Sequence, residues 1–160
     1  MDDDLRGVKG WLLTFVIIIA LVSPGLSALE TWRELHSGAT AEFSNIPIFA
    51  SIRILAWGTV AFAALVGWFV AWRLVAIHNW TSVRLAIGGI WLGSLGTNVI
   101  FYVGATWFIG ISGDLLLVTA EPQEFVRPFI FGLIWTSYLL KSERVQNTYR
   151  GGEEQAEVFE

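Results

Sequence analysis

Between Arg53 and Arg73 the chain reads ILAWGTVAFAALVGWFVAW, residues 54–72, nineteen consecutive positions without a charged side chain. A helix of this length is about 28 Å long, close to the hydrocarbon thickness of a lipid bilayer. In lipid, a segment satisfies its own backbone hydrogen bonds only as a helix or within a closed barrel. This run therefore predicts a transmembrane helix and indicates an integral membrane protein.

Three more stretches predict helices of the same kind. Residues 11–29 and 85–111 carry no charge, and the weaker stretch at 125–141 crosses only if Arg127 extends its guanidinium group to the interface. We therefore predict an all-α, polytopic membrane protein with a bundle of four transmembrane helices. They span residues 11–29, 54–72, 85–111 and 125–141 of a single domain, residues 1–150, and a disordered acidic tail follows at 151–160.

The run at 11–29 has an alternative interpretation as a cleaved signal peptide ending at Ala28. Such a peptide starts with a positively charged segment and has small residues before the cut. Here aspartates occupy positions 2–4, and Leu26 is the third residue before the cut. We therefore expect a membrane helix.

The positive charges predict the side of the membrane that each loop occupies, because cytoplasmic segments carry an excess of Lys and Arg. With an internal N-terminus, four spans place seven cations inside and three outside. The seven are Arg6, Lys9, Arg73, Arg84, Lys141, Arg144 and Arg150, and the three are Arg33, Arg53 and Arg127. Without the fourth span the count becomes four against six. The pattern favours four spans with both termini cytoplasmic.

Residue types that carry chemistry are few. The chain has no cysteine, which excludes disulfides, thiolate metal sites and iron–sulfur clusters. His36 and His78 fall in predicted loops on opposite sides of the membrane, and the first three spans contain no Asp, Glu, Lys, Arg or His. The chain has no basic patch that would indicate nucleic-acid binding. We expect no cofactor, no metal and no enzymatic activity, with the lipid bilayer as the immediate partner.

Small residues predict how the helices pack, since helices in lipid associate through close contact of small side chains and through polar contacts. The third helix has Gly89, Gly93 and Gly96, and the second has Ala63 and Gly67 at the same four-residue spacing. The simplest use of both patterns is antiparallel packing of these two helices within the chain. The alternative is a contact between two copies.

Asn98 is the polar residue midway along the third helix, beside Thr97 and one turn before Tyr102. An amide in hydrocarbon needs a hydrogen-bond partner. Asn98 is therefore either a structural contact to a neighbouring helix or part of the wall of a polar cavity.

Arg127 lies near the outer end of the fourth helix, directly before Pro128. The proline removes a backbone donor and exposes a carbonyl group, that of Glu124, which Arg127 is placed to satisfy. Arg127 either extends to the outer headgroups or faces the bundle as a contact for an anion or a partner. Asp114, Glu121 and Glu124 are its candidate ion-pair partners.

The two ends of the chain resemble a known family. The start reads Gly7-Val8-Lys9-Gly10-Trp11-Leu12, and the far end carries Arg127, Trp135, Tyr138, Ser142, Arg144, Val145, Thr148 and Tyr149. This pattern is similar to the bacterial membrane family catalogued as domain of unknown function 2569, although the middle helices match only as apolar runs. The resemblance implies a four-helix, multi-pass protein of the bacterial inner membrane. It supplies no activity, but it marks Arg127, Trp135, Tyr138 and Arg144 as candidate contact residues; Trp135 and Tyr138 also suit an aromatic belt.

Two functions stay open. The missing catalytic and metal-ligating sets favour a non-enzymatic accessory or scaffold subunit of a membrane assembly. Its membrane-protein partner, or a second copy, would bind at the predicted outside loop, residues 30–51, and around Arg144. The alternative is an oligomeric small-solute transporter or channel component, with a path lined by Thr97, Asn98, Tyr102 and Arg127.

Overall fold

The computed structural model describes residues 7–37, 47–113 and 121–149, and within these ranges the chain is helical and contains no strand. The predicted disordered tail at 151–160 and the predicted partner Asp114 lie outside the described residues. The helices are α1 (Trp11–Leu35), α2 (Pro47–Ala76), α3 (Trp80–Ile109), α4 (Gln123–Lys141) and α5 (Glu143–Tyr149).

Three of these helices are long and apolar enough to cross a membrane: α1, α2 and α3, with 25, 30 and 30 residues. Their lengths of about 37, 45 and 45 Å exceed the hydrocarbon core. They confirm an all-helical, multi-pass membrane architecture. Helix α4 has 19 residues but carries Glu124, Arg127 and Lys141, and it is not among the three. The fourth span and the orientation stay predictions.

The helices extend beyond the apolar runs that predicted them. Helix α1 continues past Leu29 to Leu35, and α2 begins at Pro47, so much of the predicted outside loop from Glu30 to Ser51 is helical. The reason is that a charged side chain ends an apolar run without ending a helix, since Glu and Arg are good helix formers. Helix α3 ends at Gly110, whose φ of 76° is the left-handed conformation that favours glycine.

The small-residue patterns serve two different contacts. Gly89 of α3 lies against Val70 of α2, and Gly93 lies against Val66. A Cβ atom at Gly96 would instead be nearest to Leu92 of the same helix. Gly67 lies against α1 instead, where a Cβ atom would be 2.5 Å from the carbonyl oxygen of Ile19. Ala63 faces α3 through its carbonyl group near Gly93. Helix α2 therefore packs on α1 and α3 through different small positions.

Pro24 interrupts the hydrogen-bond ladder of α1, directly after a π-helical turn at Ile18–Val22. A proline has no N–H group to donate to the carbonyl four residues earlier, which here belongs to Ala20. The indole Nε1 of Trp68 donates to that carbonyl oxygen over 2.7 Å. A side chain of α2 thus replaces the missing backbone donor of α1.

The buried core lies at one end of the bundle, which we call the Tyr149 end. It is built from Leu12 and Phe15 of α1, Leu74 of α2, Val83 of α3, Leu139 of α4 and Val145 and Tyr149 of α5, all almost inaccessible to solvent. Helix α2 has no buried residue before Val70. The opposite end, which we call the Glu124 end, has fewer buried residues, among them Gly104 and Ala105 of α3.

Candidate functional site: a cavity at the Glu124 end

A cavity of about 890 Å³ lies between α1, α2, α3 and α4. Along α2 its lining runs from Ile52 to Val70, a distance of about 27 Å in a helix. Its inner part is formed by apolar and small residues, including Gly67, Gly89 and Ile90. The buried core of the Tyr149 end lies beyond that point, so the described residues form a cavity with one closed end.

Helix α1 contributes a polar stripe to this cavity. Ser23, Ser27, Glu30, Thr31 and Glu34 all line it, and their spacing of three, four and seven residues places them on one face of the helix. The two glutamates were not predicted as part of a site, because the apolar run at 11–29 ends before them. The same helical spacing, extended past the first charge, would have identified the stripe.

Asn98 and Tyr102 of α3 both donate hydrogen bonds to Glu124 of α4. The amide Nδ2 of Asn98 donates to the backbone carbonyl of Glu124 over 2.6 Å, and the hydroxyl of Tyr102 donates to the Glu124 carboxylate over 2.6 Å. The Tyr102 ring also stacks on Phe125 with centroids 5.6 Å apart. Because Pro128 has no N–H group, this carbonyl lacks its usual helical donor. Asn98 is thus both an interhelical contact and part of the cavity wall.

The structure differs from the predicted role of Arg127. Its Nη2 atom donates to the side-chain oxygen of Gln123 over 3.0 Å, while Asn98 satisfies the Glu124 carbonyl. Gln123 in turn donates to the carboxylate of Glu121. Arg127 is exposed and lines the mouth of the cavity, one helical turn from Gln123. Its long side chain points along its own helix, so the backbone donor comes from the shorter amide on the neighbouring helix.

The cavity has an excess of negative charge. Four carboxylates line it, those of Glu30, Glu34, Glu121 and Glu124, against the single guanidinium of Arg127, which leaves a formal charge of −3. Among the described residues no group of three or more His, Cys, Asp or Glu is arranged to hold a metal ion. A concave, acidic surface raises the local concentration of cations. The charge therefore favours a cationic ligand.

The other predicted contact residues lie at the Tyr149 end. The ring of Trp135 packs on Phe15 with centroids 4.6 Å apart, and Tyr138 meets Trp135 at 5.7 Å. Both residues are partly buried against the core. The structure therefore brings Asn98 and Arg127 together at the cavity, and separates them from Trp135, Tyr138 and Arg144.

Helix α5 ties the ends of the other helices together. The Tyr149 hydroxyl donates to the carbonyl of Leu74 over 2.6 Å, and its ring stacks on His78 at 5.7 Å. The hydroxyl of Thr148 accepts from the backbone N–H of Gly7 over 3.0 Å. Burial raises the pKa of Tyr149, and the electrostatic interaction with Tyr138 adds to the effect. The two sequence ends that carry the family pattern are thus in contact.

Comparison with known protein families agrees with the family resemblance of the two chain ends. No curated protein and no solved structure gives a significant match to the chain. The family described as "Protein of unknown function (DUF2569)" matches residues 5–150, a range that includes the five helices of the described residues. The chain therefore belongs to the DUF2569 family.

Proposed function

We propose that this membrane protein binds a small, cationic and partly apolar solute in the cavity, as a non-enzymatic component of a solute transporter. The observation that carries the proposal is the cavity itself, which combines an acidic mouth with an apolar inner part. Ligand sites are typically concave and mostly apolar, with a few placed polar groups. The volume of about 890 Å³ falls in the range of such sites.

The closed end of the cavity supports a binding site in preference to an open pore. The core at the Tyr149 end, with Leu74 and Leu139 fully buried, lies between the cavity and the opposite side of the bundle. A transporter that alternates its access needs such a one-sided state. The four-span arrangement, with both termini cytoplasmic and the Glu124 end outside, is part of this proposal and rests on the charge pattern.

Binding of tetraphenylphosphonium to the purified protein tests the proposal. Tetraphenylborate has the same shape and the opposite charge, so it serves as the matched probe. We expect the cation to bind and the anion not to bind. Loss of one carboxylate in Glu124→Gln or Glu30→Gln should weaken the cation's affinity about fivefold, since partly screened charges contribute about 1 kcal/mol. Glu143→Gln, an exposed carboxylate at the Tyr149 end, is the control.

Equal binding of both probes, or equal loss of affinity in all three variants, would contradict a cation site in the cavity. The accessory or scaffold role stays the second candidate. Native mass spectrometry of the gently extracted protein distinguishes the two, because an accessory subunit brings a stoichiometric partner protein with it.

A further inference from the structure

Two arginines at the Tyr149 end each have a buried guanidinium nitrogen that lacks an acceptor. Among the described side chains, the Nε atom of Arg73 and the Nη1 atom of Arg144 are the buried nitrogen or oxygen atoms without a hydrogen-bond partner. Nearly all buried polar groups in native proteins are hydrogen-bonded, and a charged group without a partner is the most costly exception. These two donors therefore indicate an acceptor outside the described part of the chain.

The two arginines belong to one structural unit. Arg73 directly precedes Leu74, whose carbonyl accepts the hydrogen bond of Tyr149. Arg144 lies in the same short helix as Tyr149, and its carbonyl accepts from the Thr148 hydroxyl over 2.7 Å. The end of α2 and helix α5 are thus joined by this hydrogen bond, and each of the two elements carries one arginine with an unpartnered guanidinium nitrogen.

Positive charges outnumber negative ones among the described residues at the Tyr149 end. These residues carry five cations, Lys9, Arg73, Arg84, Lys141 and Arg144, and one anion, Glu143, for a formal charge of +4. A local excess of guanidinium and ammonium groups favours an anionic ligand. Guanidinium groups match the oxygen geometry of phosphate and are less strongly hydrated than ammonium groups, which favours them at partly buried phosphate sites.

We propose that Arg73 and Arg144 bind a phosphate group at the Tyr149 end. The phosphate belongs either to the headgroup of an anionic lipid or to a free phosphate ion, since both present the same oxygen acceptors. The site is separate from the cavity, so its test does not depend on the proposed function.

Thermal unfolding of the purified, delipidated protein tests the site, with phosphatidylglycerol, phosphatidylcholine or inorganic phosphate added. The variants are Arg73→Gln and Arg144→Gln, and Arg84→Gln is the matched control because it removes an exposed arginine from the same end. We expect phosphatidylglycerol or inorganic phosphate to raise the Tm of the wild type. Each test variant should bind at least about tenfold more weakly, and the control should bind as the wild type does.

The two sources of phosphate give different results. Stabilisation by phosphatidylglycerol alone identifies a lipid headgroup, and stabilisation by inorganic phosphate as well identifies a site for the free ion. Stabilisation by neither, or an equal loss in the Arg84→Gln control, would overturn the proposal.

The sign of the effect without ligand separates a phosphate site from a structural role. In delipidated, phosphate-free detergent, Arg73→Gln should leave the Tm unchanged or raise it, because it removes a guanidinium group whose buried Nε atom has no acceptor. A lower Tm under these conditions would contradict the proposal. If Arg144→Gln fails to fold, Arg144→Lys keeps the charge and loses the planar fork. We expect it to bind phosphate several-fold more weakly, and unchanged binding would count against the site.

Discussion

Replacing Asn98 with leucine tests whether the contact between α3 and α4 depends on the carbonyl that Pro128 frees. Asn98 Nδ2 donates to the Glu124 carbonyl over 2.6 Å, which is short for an N–H···O bond. Polar contacts between membrane helices contribute about 0.6 kcal/mol on average and up to about 1.7 kcal/mol. Water at the cavity mouth can replace part of the lost bond. We therefore expect Asn98→Leu to lower the free energy of unfolding by about 1 kcal/mol.

Pro128→Ala supplies the background in which the same change should matter little. Alanine restores the N–H group at position 128, which can donate to the Glu124 carbonyl four residues earlier. Asn98 then becomes a redundant donor. We expect Asn98→Leu to cost about 0.3 kcal/mol or less in this background, a coupling of about 0.7 kcal/mol that a double-mutant cycle can resolve.

Equilibrium unfolding in mixed micelles with a rising fraction of sodium dodecyl sulfate measures both free energies, and circular dichroism follows the loss of helix. Asn147→Leu, at an exposed helical position of α5, measures the gain in helix propensity that any asparagine-to-leucine change brings. An equal cost of Asn98→Leu in both backgrounds would refute the proposed dependence on Pro128. No cost in the wild type would refute the contact itself.

Three further outcomes follow from the helix contacts and can be measured by the same unfolding assay. Trp68→Phe removes the donor to the Ala20 carbonyl, and we expect a loss of about 0.6 to 1.7 kcal/mol; an unchanged stability would mean that lipid or water replaces the bond. Gly67→Ala places a Cβ atom 2.5 Å from the α1 backbone and should cost about 1 to 3 kcal/mol, whereas Gly58→Ala, which meets open space on the same helix, should cost nothing; equal effects would contradict the close α1–α2 packing. Because the pKa of Tyr149 is raised above its ordinary value of 10, its contribution to stability is complete below about pH 10 and is lost as the pH rises further. Unfolding between pH 9 and 11 should therefore show a steeper alkaline loss in the wild type than in Tyr149→Phe, and parallel curves would contradict this.

The properties of the helices that could be predicted depend on short segments of sequence. A long uncharged run must become a helix in lipid because no other open structure satisfies its backbone. The exposed carbonyl of Glu124 is equally local, since Pro128 removes the donor four residues away whatever surrounds it. The helix ends were less predictable. Charged side chains such as Glu30 and Glu34 continue a helix as readily as leucine does, so the end of an apolar run is a poor guide to the end of α1.

The partners of the polar residues could not be predicted in the same way. The Glu124 carbonyl takes its hydrogen bond from Asn98, 26 positions away in sequence, and not from the adjacent Arg127. Which side chain reaches a freed carbonyl depends on how far each helix is rotated about its axis. That rotation is set by small residues, such as Gly67 against α1 and Gly89 against α2.

The sequence by itself determined that the chain belongs in a membrane, that it is helical, and that its two ends follow a family pattern. Those properties depend on composition, run length and short motifs, which are present in the chain before it folds. Only the tertiary structure decided that the polar residues of four helices line one acidic cavity and that Arg73 and Arg144 each have a buried, unpartnered nitrogen at the opposite end. These sites are formed by residues far apart in sequence, so they exist only once helix packing has placed them.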